Sequence, residues 1–338
     1  MKNKIMIVGE AWGKDEAAQR RPFVGGTGKL LRGLLRQVGI DPAETYMTNV
    51  FNLQPQPRND IRNLCGTKPE GIKGMPFLQR SKYVLAKYEP ELHRLYQEVK
   101  DVQPNLILAC GATPCWALLG TEGIKKLRGA PILSNVGSTK LLPTYHPSAV
   151  ARDWKLRPIV LSDLAKAKAE SEFPEIRRPK REIWIEPNTD DIARFIRKYI
   201  IPSPDLSIDI ETVGGKYITC IGFAPTVDRA LVIPFHDSRK KGCNYWQTLS
   251  EETAAWDLVR YICGLDKNIV GQNFIYDMQR LWDVYGIPCP HASNDTMLRH
   301  HAMQPEMEKG LDFLASIYTD ELKWKFMGKG GGLIKEIK

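Results

Sequence analysis

No run of about 18 apolar residues occurs in this 338-residue chain, so no helical membrane span is expected. The opening, MKNKIMIVGE, is basic and then apolar, but its apolar part is too short for a signal peptide and reads as a first strand. Cysteine is sparse: seven residues, odd in number and irregularly spaced. That usage suits a reduced, cytoplasmic protein rather than a disulfide framework. Cys110 and Cys115 fall in an apolar segment and read as core. A phosphate loop is missing as well. Gly25-Gly26-Thr27-Gly28-Lys29 looks like one, but Phe23 stands where a P-loop needs its first Gly and Leu30 where it needs Ser or Thr. No Gly-x-Gly-x-x-Gly fits these glycines, and no internal repeat is visible.

What is present is a length for two domains, with 43% apolar residues, 26% charged residues and a net charge of +9. A basic chain suits a polyanion, and nucleic acid is the commonest. Short apolar runs at Lys4 to Glu10, Thr45 to Phe51, Asn105 to Gly111 and Leu141 to Pro147 read as buried strands. Helical spacing follows at Gly28 to Val38, Pro90 to Val102 and Pro114 to Leu119. The alternation predicts an α/β/α sandwich around a mostly parallel sheet. Ligands gather at the carboxyl ends of such strands, where Glu10, Asn49 and His146 fall. The segment FPEIRRPKRE reads as a linker or a solvated face. Strands at Leu206 to Thr212, YITCIGFAP, ALVIPF and NIVGQN, with helices at Glu251 to Cys263 and Phe274 to Tyr285, predict a second α/β domain with a mixed sheet.

GEAWGKDE, RPFVG, TNV and HPSAV follow one another in the first half. Singly, such an Asn is a turn residue, a His-Pro is structural and a Phe is core. Together and in this order they resemble the uracil-DNA glycosylase superfamily, nearest to its iron–sulfur (family 4) branch. The resemblance implies that uracil is flipped out of DNA into a tight pocket. It assigns base contact to Phe23, Asn49 and Ala11. It makes Glu10, Glu16 and His146 catalytic, the acids toward the sugar cation or the water and His146 toward the leaving base. Trp12 stands where the family has Pro. Four suitably placed cysteine ligands are not found, so no iron–sulfur cluster is expected.

Asp209-Ile210-Glu211-Thr212 puts two carboxylates on one strand face, as a shared divalent metal requires. An exposed acid pair in an ordinary strand would read the same. Asn273 and Asp277, with the segment Asn294 to Thr319, extend the likeness. These segments resemble the DnaQ-like 3′–5′ exonuclease domain of phage-type family A DNA polymerases. The resemblance implies an RNase H-like fold and Mg²⁺ or Mn²⁺ on Asp209, Glu211 and Asp277, with Asn273 and Asp295 in support. The third motif, Tyr-x-x-x-Asp or His-x-x-x-Asp, is read as absent after Asp277, with Asp312 and Asp320 lacking its spacing. Little or no exonuclease activity is therefore expected. Zinc on His291, His300 and His301 is not expected, since no Cys or acid lies at ligand spacing.

The resulting expectation is a glycosylase-like domain over 1–172, a linker over 173–185 and an exonuclease-like domain over 186–338, truncated at its C-terminus. The function read is excision of uracil from single- or double-stranded DNA, in the host cytoplasm if a phage encodes the protein. The alternative is a non-catalytic uracil sensor that tethers or stalls a phage DNA polymerase, which would be its partner polypeptide.

Overall fold

The computed structural model describes residues 4–121, 123–177, 179–319 and 321. Two compact units result: residues up to 177 joined by those from 312 onward, and residues 178–311.

In the first unit the opening apolar run forms β1 (Ile5–Ala11), buried through Gly9. Helices α1 (Lys14–Gln19) and α2 (Gly26–Gln37) lead to β2 (Tyr46–Phe51). Farther along the chain, β3 (Cys65–Gly66) pairs antiparallel with β4 (Tyr83–Val84). Then follow α3 (Glu89–Val102), β5 (Leu106–Cys110), α4 (Ala112–Leu119), α5 (Ile124–Leu127), β6 (Ile132–Leu133), β7 (Lys140–Thr144), α6 (Pro147–Arg152) and α7 (Arg157–Glu170). The sheet runs β2-β1-β5-β7-β6. Its strands pair in parallel except β6, which is antiparallel to β7.

Alternation along the strands builds the layers. Met6, Val8, Ile107 and Ala109 pack with Leu92, Leu95 and Trp116 of α3 and α4. Ile5, Ile7, Leu106 and Leu108 pack with Leu31, Leu34 and Leu35 of α2 and Leu164 of α7. Each fully buried aliphatic side chain contributes about 1.5–3 kcal/mol. This is the α/β/α sandwich expected.

The second unit contains β8 (Glu182–Trp184), α8 (Thr189–Phe195), β9 (Asp205–Val213), β10 (Tyr217–Thr226), β11 (Arg229–Pro234), α9 (Leu249–Cys263), β12 (Asn268–Gly271), α10 (Ile275–Tyr285), β13 (Ala292–Asp295) and α11 (Thr296–Met303). The strand order is β13-β12-β9-β10-β11-β8. Antiparallel pairing of β10 with β9 and β11 beside parallel pairing at the flanks makes the sheet mixed, as expected.

Two boundaries differ from the sequence reading. Of the expected linker over 173–185, residues 182–184 form β8 and pair with β11. Its first residues are pinned to the first unit. Lys140 donates to Glu170 (2.7 Å) and to the Glu175 carbonyl (3.0 Å), and its ammonium lies 3.9 Å from the centre of the Phe173 ring. The second difference is α12 (Leu311–Tyr318). It lies in the segment resembling the exonuclease, yet from Asp312 onward it packs in the first unit. Of the acids weighed for a third motif, Asp320 lies outside the described residues.

Candidate functional site

Gly9 and Asn49 are register partners on neighbouring parallel strands. A Cβ at Gly9 would lie 2.2 Å from the Asn49 Oδ1 and 2.7 Å from the Phe23 Cζ. Glycine is therefore required for space: it lets an aromatic ring and a side-chain amide close on one point of the sheet. Asn49 is 3% exposed. Arg94 of α3 fixes its strand, donating to the carbonyls of Asn49 (2.8 Å) and Val50 (3.0 Å) and to Thr48 Oγ1 (3.2 Å). Phe23 sits at φ +55°, a conformation bulky residues seldom adopt. Two neighbours sustain it. Arg32 Nε donates to its carbonyl (3.4 Å), and Gly28 leaves that carbonyl room, since a Cβ there would lie 2.1 Å from the oxygen.

The acids divide their work. Glu16, 8% exposed, accepts a hydrogen bond from the Gly25 amide (2.8 Å) and so holds the loop after Phe23. Glu10, at the end of β1, accepts from Thr113 Oγ1 at the start of α4. Burial raises the Glu10 carboxyl above the usual carboxylate range. The Thr113 bond opposes this, and the Asp60 charge adds to it. Ala11 ends β1, opposite Phe51, and packs partly buried against the α3–α4 side of the core. Trp12 adds an indole N–H that is buried and without a hydrogen-bond partner.

His146 follows β7 and caps α6. Its Nδ1 accepts from the Ser148 amide (3.2 Å) and lies 2.7 Å from Ser148 Oγ. An accepting Nδ1 puts the proton of the neutral ring on Nε2. Burial, aided by the Arg152 charge and opposed by Glu16, lowers its pKa to about 4. The site therefore holds a neutral donor rather than a cation. Gly111, at φ +102°, faces the His146 Cβ, and a Cβ there would lie 3.1 Å away.

Glu10 also lines an open polar hollow with Arg58, Asn59, Asp60, Arg62 and Arg80. Arg62 is engaged with Asp60 and holds that carboxyl at about 2. Arg58, Asn59, Arg80 and Ser81 all have positive φ, strain that recurs around binding sites. An iron–sulfur cluster takes four cysteine thiolates. The donors here do not fit one: residues 1–177 carry three cysteines. Cys110 and Cys115 are fully buried in the core, where burial pushes the Cys115 thiol up to about 12.

In the second unit Asp209 and Glu211 fall on the exposed face of β9, alternating with buried Ile208 and Ile210. Asp277 is 5% exposed and accepts from the Ile210 amide (3.0 Å). Burial raises its pKa to about 6, and the charges of Asp209 and Asp295 add to that. These oxygen donors suit a hard divalent cation. Among the described residues, no three His, Cys, Asp or Glu side chains are grouped to hold a metal ion as they stand.

Asn273, at φ +53°, turns the chain into α10. Asp295 accepts from the amides of Asn273 (3.1 Å) and Phe274 (2.8 Å), and also from Met297 (2.8 Å) in α11. It serves as scaffold. Contrary to the expectation from sequence, His291 and Asp295 do have the His-x-x-x-Asp spacing after Asp277. The carboxylate of Asp295 is nevertheless spent on backbone amides, and His291 pairs with Asp266 (3.3 Å).

Sequence reasoning missed Arg94, Thr113 and Ser148. Arg94 looked like the polar face of an amphipathic helix. Ser148 could have been found as the hydroxyl two residues after a capping His.

Known proteins are similar to this chain along both of its units. The profile of the uracil DNA glycosylase superfamily matches residues 2–172. A type-4 uracil-DNA glycosylase of Thermotoga maritima is 33% identical over 174 residues, which is 49% of this chain and 77% of that protein. A DNA polymerase of Bacillus phage SP01 is 25% identical over 221 residues, 63% of this chain and 21% of the polymerase. That match is longer than either half, so it takes in parts of both. Among solved structures, the EXD2 exonuclease domain soaked in Mg and dGMP covers 40% of this chain and 68% of its own, at 18% identity and a TM-score of 0.27. With the profile spanning half the chain, over the strands that bear Gly9, Asn49 and His146, this protein belongs to the uracil-DNA glycosylase superfamily.

Proposed function

We propose that the first unit excises uracil from DNA by hydrolysing its N-glycosidic bond. The convergence of the Phe23 ring and the Asn49 amide on Gly9 carries this reading. A flipped base needs a flat apolar face and a group that both donates and accepts at its polar edge. Water adds its oxygen to C1′ as the C1′–N1 bond breaks, and the bonding electron pair leaves on uracil. The neutral His146 donates through Nε2 to the leaving base, a preformed donor aimed at developing charge. Glu10, made more basic by burial, takes the proton of the attacking water. Glu16 keeps the Phe23 loop in place. The arginines around the hollow meet DNA phosphates.

Asp209, Glu211 and Asp277 would hold Mg²⁺ or Mn²⁺ in the second unit, the metal supplying an activated water. Asp295 is committed to backbone amides rather than free to serve as a fourth acid, and in this reading the second unit holds a DNA strand with little nuclease activity. The match to a phage DNA polymerase favours a replicative setting in a host cytoplasm, with a polymerase polypeptide as partner.

The test is a 5′-labelled oligonucleotide with a single uracil, incubated in EDTA and then treated with alkali. A break at the uracil, absent with Asn49→Ala, is expected. Tight binding without a break would instead make the first unit a non-catalytic uracil sensor.

A further inference from the structure

The chain leaves the first unit at Arg177 and rejoins it at Asp312. The returning helix α12 buries Phe313, Leu314, Ala315 and Ser316. Ser316 rests on Gly129. A Cβ at Gly129 would lie 3.1 Å from the Ser316 carbonyl oxygen and 3.3 Å from its Cβ, and Gly129 has φ +79°. A small residue on each side brings the two backbones together.

A hydrogen-bonded chain starts at this contact and ends at Thr144, two residues before His146. Arg128 Nη1 donates to Ser316 Oγ (2.8 Å). Its Nη2 and Nε donate to the two carboxylate oxygens of Asp163 (2.6 and 3.1 Å). Asp163 also accepts from Thr144 Oγ1 (2.8 Å). Arg128, Asp163 and Thr144 are each no more than 2% exposed. Thr144 ends β7, and Tyr145 and His146 follow it directly. The Arg128 guanidinium lies 5.9 Å from the centre of the Tyr145 ring and 5.8 Å from the centre of the Phe313 ring. Lys166 ties the same corner from α7, donating to the carbonyls of Gly129 (3.2 Å), Ser316 (2.7 Å) and Thr319 (2.5 Å).

A buried guanidinium is well placed only when its donors are met, and a network that is fully satisfied fixes one geometry. Two of the groups that meet Arg128, the Ser316 hydroxyl and the Phe313 ring, come from α12. Without them the guanidinium would open to water on that side and loosen its hold on Asp163.

We propose that α12 is part of the glycosylase machinery: Arg128, completed by Ser316, is a positioning residue that acts through Asp163 and Thr144 on the strand end bearing His146. This rests on the uracil reading given above.

The test uses the full chain. Ser316→Trp wedges α12 off Gly129, Ser316→Ala keeps the close packing but removes the hydroxyl that meets Arg128, and Lys166→Met is a milder loosening that retains side-chain length. Excision at saturating uracil DNA, affinity for that DNA in EDTA, and amide hydrogen exchange are measured. Ser316→Trp is expected to slow excision by about 10-fold or more, the scale of a small misplacement of a catalytic group. Affinity should be held, and exchange should speed up at residues 144–146 but not in β1 or β5. Ser316→Ala, which removes only the hydroxyl that meets Arg128, and Lys166→Met should each move in the same direction as Ser316→Trp, by less. Excision at the parent rate in both Ser316→Trp and Lys166→Met would overturn the proposal. So would exchange rising evenly across β1, β5 and β7, which marks general loosening. If the parent protein cuts no uracil, the uracil reading fails by itself. The exchange pattern then decides the proposal: selective loss of protection at 144–146 supports the positioning link, and unchanged protection there overturns it.

Discussion

The Phe23 ring and the Asn49 side-chain oxygen both occupy the space that a Cβ at Gly9 would need. Gly9→Ala would place a methyl 2.2 Å from one and 2.7 Å from the other. The expected result is a folded protein weakened by about 1–3 kcal/mol, the usual cost of overpacking. Uracil excision should fall about 100-fold, because the pocket walls must part. Denaturant melts and single-turnover excision measure the two. Parent-like excision would show that the base does not lie between these groups.

Asn49→Ala removes the amide but leaves the strand, which Arg94 holds through main-chain carbonyls. Discrimination of uracil from thymine or cytosine should suffer most, because a site built to hydrogen-bond its substrate loses orders of magnitude when that bond goes. Competition binding with single-base variants of one oligonucleotide gives the answer. Equal losses for every base would point to a structural Asn49.

His146 has a pKa lowered to about 4, chiefly by burial. In the unfolded chain a histidine titrates near 6.5. Between those values the unfolded state binds more protons, so this group's contribution to stability rises with pH from about 4 to 6.5 and is constant above. For catalysis the donor stays neutral down to about pH 4. The excision rate should show no His146 limb near pH 6.5. A limb from Glu10 should vanish in Glu10→Gln. A rate that tracks a titration near 6.5 in both proteins would mean that His146 works as a cation.

Asp277, raised to about 6 by burial and neighbouring charge, strains the second unit once it ionises. Asp277→Asn keeps an acceptor for the Ile210 amide and removes that charge. In EDTA it should stabilise the protein at pH 8 by about 1–3 kcal/mol, from 1.36 kcal/mol per pKa unit, and should do nothing near pH 4. Conversely, Mn²⁺ should raise the melting temperature of the parent at pH 8 and not that of Asp277→Asn. A destabilised variant at pH 8 would mean that the carboxylate has a cationic partner.

The sandwich was legible because its strands are buried on both faces and read as unbroken apolar runs, as in Leu106–Cys110. Glu10, Asn49 and His146 were placeable because each lies in or just after the carboxyl-terminal part of such a run. What escaped was whatever depends on distant partners. The α7 segment, with its repeated Ala-Lys, shows no clear apolar stripe, although Asp163 within it is wholly buried. Arg128 and Thr144, far off in sequence, make an aspartate possible there. The return of α12 to the first unit was hidden for the same reason, since Ser316 and Gly129 are small residues whose meaning appears only when they touch. Asp295 shows the opposite failure: its spacing fits a metal motif, while its oxygens are taken by backbone amides.

The docking of α12 sets an order of events in synthesis. A ribosome delivers residues 1–177 first and residues 178–311 next, and only then the helix that closes the first unit. The glycosylase half is begun before the second unit and completed after it. Cleavage of a nascent or mature chain between 178 and 311 would therefore leave two pieces that still share one core.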